Sequence, residues 1–304
     1  MKTRAALLLA APAIVLFLLS FAAPLVLVGR LSFFATDYIT SEFIGLANFA
    51  NAFHDPYFLK SFVNVFWFVL LIAPASILSS YRIAGFLHGF GRKMQAAGRF
   101  VCYVPSLTSG LIMTLLWAWL LLRNGLINQF FAVLGIPAVP WLAIPWSARL
   151  SVAMVALSSG SGMFVILFSA AMHTIPAELH DAALIDGATE RQYRRLIVRP
   201  ILMPTILLAL LLTIVGTMQA WETIYVLTGQ GGPRGSTATP VYNIFQTAFQ
   251  FGRSGYAAAK GIILMAVIAG IVAMKQRLEQ GIEQARVGQV SPEPSHLWRK
   301  LYWN

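Results

Sequence analysis

"IPAELHDAALIDGATERQYRRLIVRP", Ile175 to Pro200, carries eight of the chain's 33 Asp, Glu, Lys and Arg residues, yet long apolar runs flank it on both sides. Pro176 suits the first turn of a helix, where its missing N–H costs nothing, and Glu178 then lies near the positive helix end. Residues 177–186 contain good helix formers. Gly187 is a natural C-cap, because glycine takes a left-handed backbone at little cost. Thr189 followed by Gln192 is a capping-box pattern, so a second helix starts there, and Pro200 marks entry into the next apolar run. The stretch therefore reads as helix, tight bend, helix. Leu179, Ala182 and Ala183 share one side of the first helix, while Leu184 and Ile185 point elsewhere. A helix that merely lies on a bilayer has one greasy face and one wet face. This one suits being gripped on several sides, and a solvated basic loop that only sets topology is the plainer alternative.

The flanking runs identify the solvent. Hydrophobic residues make up 58% of the 304 and charged ones 11%, against about 25% charged in soluble domains. A soluble domain could not cover that much apolar surface. A span needs roughly 20 mainly apolar residues and must be helical, since lipid offers exposed backbone no partner. Six spans are expected, at about 5–29, 61–84, 100–122, 150–173, 201–224 and 256–274. The whole chain, 1–304, reads as one transmembrane domain: a first span (1–29), a core of five spans (61–275) and a tail (276–304).

Lys and Arg number 2, 4, 4 and 5 in the N-terminus, residues 82–99, residues 174–199 and the stretch from Lys275 onward, against seven on the other side. That excess marks the cytoplasmic face and places both termini, and the charged connector, inside. The N-terminus resembles a signal peptide, but its apolar run is too long and Pro24 follows the small-residue site, so an uncleaved first span is expected. The outer connectors are modest: the Pro- and Trp-rich 123–149 reads as a rigid interfacial segment, and "GQGGPRGST" from Gly229 as a flexible turn. A net charge of +11 spread over alternate loops does not make a nucleic-acid face. The single Cys102 and five scattered His give no metal-ligand spacing, and no G-x-x-x-x-G-K-[ST] stretch exists.

The connector resembles the "EAA" loop of permease subunits in binding-protein-dependent ABC importers. The family pattern is Glu-Ala-Ala, three residues, Gly, nine residues, then Ile-x-Leu-Pro. Here it is Asp181-Ala182-Ala183, three residues, Gly187, nine residues, then Ile197-Val198-Arg199-Pro200, with Asp for Glu and Arg for Leu. "LSFFATDY" (31–38), "FIGLANFANAFHDPYF" (43–58), "MTLLWAWLLLRNGLIN" (113–128), "PWL" (140–142), "WETIYVLTGQGGPRGSTATPVYNIFQTAF" (221–249) and "GYAAA" (255–259) are similar to the carbohydrate-importer branch. The resemblance implies an all-α integral membrane protein with the ABC type I importer permease fold, six transmembrane helices and a cytoplasmic coupling-helix loop in the inner membrane of a bacterium. It implies transport of a sugar by alternating access, without bond chemistry on this chain. The implied partners are a second permease subunit, two copies of a cytoplasmic ATPase that bind ATP and Mg, and an extracytoplasmic binding protein. It further implies that Leu179, Asp181, Ala182, Ala183, Asp186, Gly187, Arg191, Arg194 and Arg195 meet the ATPase.

For the substrate path, sugars need polar hydrogen bonds and flat aromatic faces. Gln219, Trp221 and Glu222 offer these at the outer end of the fifth span, with Ser158, Ser159 and Ser161 in the fourth and Asn64 in the second. Small residues equally serve close helix packing. Glu222 and Lys260 have similar depth and opposite sign, so they are expected to pair, the alternative being that each snorkels separately. An ion-coupled secondary transporter is the rival function. It calls for midplane acids and paired repeats, which the sequence lacks. A membrane enzyme acting on lipid-linked sugars would need paired carboxylates or a metal cluster.

Overall fold

The computed structural model describes residues 2–36 and 40–290. Residues 37–39 of the outer segment and the tail beyond 290 lie outside the described residues. Four helices are long and apolar enough to cross a membrane, at Ala10–Leu31, Pro56–His88, Pro145–His173 and Ser254–Gly281, and two bent pairs bring the number to six. The six-span architecture follows from the apolar runs, with two corrections. The third span is not one rod. Arg92–Leu107 and Gly110–Leu120 meet at 86°, because Thr108 and Ser109 adopt extended backbone just after Pro105. The fifth bends by 63° between Glu190–Ile201 and Met203–Gln219, where Pro200 and Pro204 each remove a helix donor. It then breaks again at Ala220, which is extended.

The second and fourth spans form the centre, and the third and fifth pack against them. Two apolar clusters sit there. One gathers Phe68, Ile72, Trp141, Val152, Ile224 and Tyr242; the other gathers Ala84, Phe168, Met172, Val198 and Leu202. Backbones approach closely where side chains are small. A Cβ on Gly162 would overlap the Cys102 carbonyl, and Ser80 and Ser106 donate to the carbonyls of Ser161 (2.9 Å) and Ser159 (2.5 Å). Such contacts replace the hydrophobic effect, which does little between helices in lipid. The first span is exposed along its apolar stretch and meets the sixth through its second half, Ala23–Leu31.

The connectors expected on the outer side carry more structure than composition suggests. A short antiparallel hairpin pairs Phe34–Thr36 with Ser41–Phe43, followed by the helix Ala47–His54. Gly255 of the sixth span lies directly on the Phe34 carbonyl, where no side chain fits. In 123–149, buried Asn128 donates to the carbonyls of Leu122, Arg123 and Val139, and accepts from the N–H of Val139 and the Trp141 indole. That network gives the segment its fixed shape. The sixth helix runs on to Val290, past the expected start of the tail at 276.

Candidate functional site

The charged connector folds as helix, bend, helix. Ala177–Ile185 is helical, and Gly187 follows at φ +75° with open space around it. The N–H of Ala188 reaches back to the Ala183 carbonyl (2.9 Å) and that of Gly187 to Leu184 (3.0 Å), so the last turn is closed by a left-handed cap. Thr189 and Gln192 form the complete capping box that opens Glu190–Tyr193. Glu190 ties the two helices. It accepts from Arg194 (2.6 Å) and contacts the His180 ring (3.3 Å), which rests edge-on against Tyr193 (4.8 Å).

Most of the residues expected to meet a partner are exposed: Leu179, Asp181, Ala182, Asp186, Gly187, Arg191, Arg194 and Arg195. Ala183 is not among them, because it is buried inside the chain at 6% exposure. The outward apolar surface is instead supplied by Leu184 and by Ile185, which is 86% exposed. Sequence reasoning passed over this pair because nine residues with apolar groups on several sides leave the outward face undetermined. The cap geometry fixes it. Beneath the helix, between it and the ends of the second and fourth spans, lies a cavity of about 630 Å³ lined by Tyr81, Arg82, His88, His180 and Glu190 among others.

At the other end, the structure brings Gln219, Trp221 and Glu222 together at the Ala220 break. Gln219 and Glu222 are exposed, and Trp221 stacks on Phe245 (4.7 Å between centroids), which also meets Tyr225 and Phe249. A narrow cavity of about 180 Å³ reaches the break between the second, fourth and fifth spans, lined by Phe68, Ser76, Gly160, Gly216, Thr223 and Thr239. Ser158 and Ser159 hydrogen-bond their own helix at Val155, and Ser158 also accepts from the Trp117 indole (2.9 Å). Ser161 receives Ser80 on its carbonyl. Asn64 lies elsewhere, buried and bonded to the carbonyls of Gly235 (2.8 Å) and Ala238 (2.9 Å).

The expected Glu222–Lys260 pair does not form. Lys260 is 2% exposed, and its ammonium meets Asp55 Oδ2 (2.8 Å), Asn243 Oδ1 (2.8 Å) and Thr247 Oγ1 (3.1 Å). Three acceptors satisfy its three donors. Asp55 also caps the second span, accepting from the N–H of Tyr57 and Phe58 through Oδ1, and receives the Tyr256 hydroxyl on Oδ2. Burial alone would raise the Asp55 carboxyl, but the hydrogen bonds from Lys260, Phe58 and Tyr256 and the Lys260 charge hold it below its ordinary value. Similar depth identified the right cation with the wrong acid: the partner comes from the start of the second span, 205 residues before Lys260 in sequence, as the residue numbers give.

A second correction concerns the Gly-rich loop from Gly229. Only its tip lies on the surface, at Gly229, Gln230 and Arg234, while Ser236, Thr237, Ala238 and Thr239 are at most 3% exposed. Residues Tyr57, Lys60, Asn64 and Arg149 all hold it by its carbonyls.

Comparison with known proteins accords with this architecture. Residues 80–284 match the family model described as binding-protein-dependent transport system inner membrane component. A probable ABC transporter permease protein of Pyrococcus horikoshii is 31% identical over 277 residues, covering 86% of this chain and 93% of that one. The sulfoquinovosyl glycerol transport system permease protein of Agrobacterium fabrum is 28% identical, covering 90% and 89%. The arabinooligosaccharides transport system permease protein of Bacillus subtilis is 27% identical, covering 88% and 86%. Among solved structures, a chain of a bacterial ABC transporter involved in import of the acidic polysaccharide alginate superposes with a TM-score of 0.78 at 24% identity, over 92% of this chain and 97% of that one, which shows the shared fold. With two thirds of its length inside the family model and a relative above 30% identity along most of it, the chain belongs to the inner membrane components of binding-protein-dependent transport systems.

Proposed function

We propose that this chain is a permease subunit of an ATP-driven carbohydrate importer, coupled to its motor through Ala177–Ile185. One observation carries the coupling: a short helix, closed at its C-terminus by the Gly187 cap and tied to the next helix through Glu190, presents Leu184 and Ile185 to solvent. A rigid body with an apolar tip and a charged rim fits a socket, with the tip supplying affinity and the charges register. Asp181, Asp186, Arg191 and Arg195 form that rim. Two ATPase subunits would grip two such knuckles, this one and that of a second permease subunit, and would hold the ATP and Mg that this chain has no loop to bind. The Lys and Arg distribution supports an inner-membrane orientation with the knuckle and both termini in the cytoplasm.

The sugar substrate rests on the names of relatives, which concern sulfoquinovosyl glycerol, diacetylchitobiose, arabinooligosaccharides and lactose. Exposed Gln219 and Glu222 beside the Trp221–Phe245 stack offer the polar groups and flat faces that such ligands need. An external binding protein would deliver the sugar, and alternating access would follow when ATP-driven closure of the motor moves the knuckle and the spans attached to it. The family relationship favours this over ion-coupled transport. Affinity purification of the tagged full chain from its own host should recover an ATP-binding subunit. Ile185→Asp should abolish that recovery while the chain still extracts from the membrane as a monodisperse species. Undiminished recovery with Ile185→Asp would refute the docking assignment.

A further inference from the structure

Loop 229–239 is held in an unusual way. Lys60 Nζ donates to the Arg234 carbonyl (2.7 Å), Asn64 Nδ2 to those of Gly235 (2.8 Å) and Ala238 (2.9 Å), and Arg149 Nε to that of Ser236 (3.1 Å). Arg149 also donates through Nη2 to Asn64 Oδ1 (3.3 Å), so one guanidinium from the fourth span orients the amide of the second and fastens the loop across both. Arg149 is partly buried and lies over the Trp67 ring (5.6 Å). None of the ion pairs among the described residues includes it. Its hydrogen bonds are committed to this loop and to Asn64.

The second half of the loop, residues 235–239, is buried yet imperfectly settled. Ser236 Oγ, and Tyr242 OH in the helix that follows the loop, are buried and find no hydrogen-bond partner among the described residues, although such groups normally do. Arg234 sits at φ +56°, the one non-glycine residue with positive φ among the described residues. Such strain persists only where the surroundings impose it. Gly229, Gly231, Gly232 and Gly235 all have positive φ, and a side chain on Gly231 or Gly235 would collide with Tyr57, so the loop lies tight against the second span. Its far end, Thr239, donates to the Ala220 carbonyl that the break in the fifth span leaves free (2.5 Å) and lines the cavity below. Moving the loop would therefore open that cavity and release the break together.

We propose that Arg149 is a positioning residue that latches loop 229–239 as an outer gate over the path, and that the transport cycle releases it. The gate rests on the transport reading above; the latch does not. The clamp joins the second and fourth spans, so a small relative shift of those helices breaks the Arg149 and Asn64 bonds at once. The loop carbonyls then go to water, and the unpartnered Ser236 hydroxyl with them.

Cys102 is the chain's only cysteine, so Cys102→Ser leaves a silent background. Ser236→Cys then places a thiol where the native hydroxyl makes no bond, and Gln230→Cys, at an exposed position, serves as the reference. Reaction with a polar maleimide is followed in the purified full complex in nanodiscs. Ser236→Cys should react at least about tenfold more slowly than Gln230→Cys, as local opening limits it. Adding Arg149→Gln should raise the rate about tenfold, the loss expected for hydrogen bonds from a charged donor. Arg149→Lys should restore protection in part. Trapping with ATP, Mg and vanadate should raise the rate with Arg149 intact. A rate unmoved by Arg149→Gln overturns the latch. A rate unmoved in a complex that traps nucleotide overturns the gate alone, and a complex that traps none removes the importer reading and the gate with it.

Discussion

Removing the Lys260 ammonium tests the reading of charge at the outer face. In Lys260→Met the side-chain volume is nearly kept, while Asp55 loses its cation and Asn243 and Thr247 lose a donor. Breaking a buried ion pair from one side costs about 3–5 kcal/mol. Asp55 is 20% exposed and keeps Tyr256 and two backbone N–H groups, so about 2–3 kcal/mol is the expected loss. Asp55→Asn keeps a hydrogen-bonding cap but strands the ammonium, which is 2% exposed, and should cost at least as much. The double variant should be more stable than the sum of the single losses by at least about 1 kcal/mol, the signature of a direct pair. Thermal unfolding of the detergent-purified full chain, followed by loss of the monodisperse peak, measures all three. Glu222→Gln, at an exposed carboxylate with no ion-pair partner among the described residues, should leave the midpoint within error. Additive single losses at Asp55 and Lys260, or coupling of Lys260 to Glu222 in place of Asp55, would refute the assignment. The pH dependence has a definite sign. Asp55 is held below its ordinary 3.8, so its contribution is complete above that value and is lost as pH falls through the lowered one. Acidification from pH 7 to 5 should leave this contribution intact.

Two further substitutions separate backbone from side chain. Gly187→Val puts a β-branched residue at φ +75° in otherwise open space, costing about 1–2 kcal/mol or more of local conformational energy; ATP hydrolysis by the complex should continue while uptake falls, and full uptake would count against a rigid lever. Gly162→Val drives a side chain into the Cys102 carbonyl, and should lower the unfolding midpoint by the largest step of any change proposed here, whereas Gly160→Ala, with nothing near its Cβ, should not.

The apolar runs place the spans because lipid forces helix on any long apolar segment, whatever its neighbours. Gly187, Thr189 and Gln192 reveal the bend because caps are local: each needs only residues within three or four positions. The 86° turn at Thr108–Ser109 was less legible, since Pro105 alone is compatible with a kinked but continuous span. The Ala220 break carries no proline at all. It is stabilised by Thr239, nineteen residues away, and no local pattern reports a bond of that kind. The same limit explains the loop from Gly229. Its glycines announce positive φ, and a flexible surface turn is the ordinary use of that freedom. Only the convergence of Lys60, Asn64 and Arg149 from two other spans shows that the freedom is spent on burial.

The distribution of polar groups at membrane depth separates structure from path more sharply than depth alone. Lys260, Asp55 and Asn64 have their hydrogen-bonding capacity occupied by other parts of the chain. A substrate could reach them only by breaking bonds that hold spans and loops together. The hydroxyls of Ser158 and Ser159 are committed to the carbonyls of their own helix, which fits close packing against the third span better than reception of a ligand. Gln219 and Glu222 differ, being exposed beside a break that interrupts the fifth helix and next to an aromatic stack. Uncommitted polar groups within an apolar chain are tolerated only where they meet water, a partner subunit or a passing solute. On that argument the Ala220 break is the place to test first for contact with the proposed cargo, and the Thr239 bond to the Ala220 carbonyl is what ties the break to the loop that Thr239 ends.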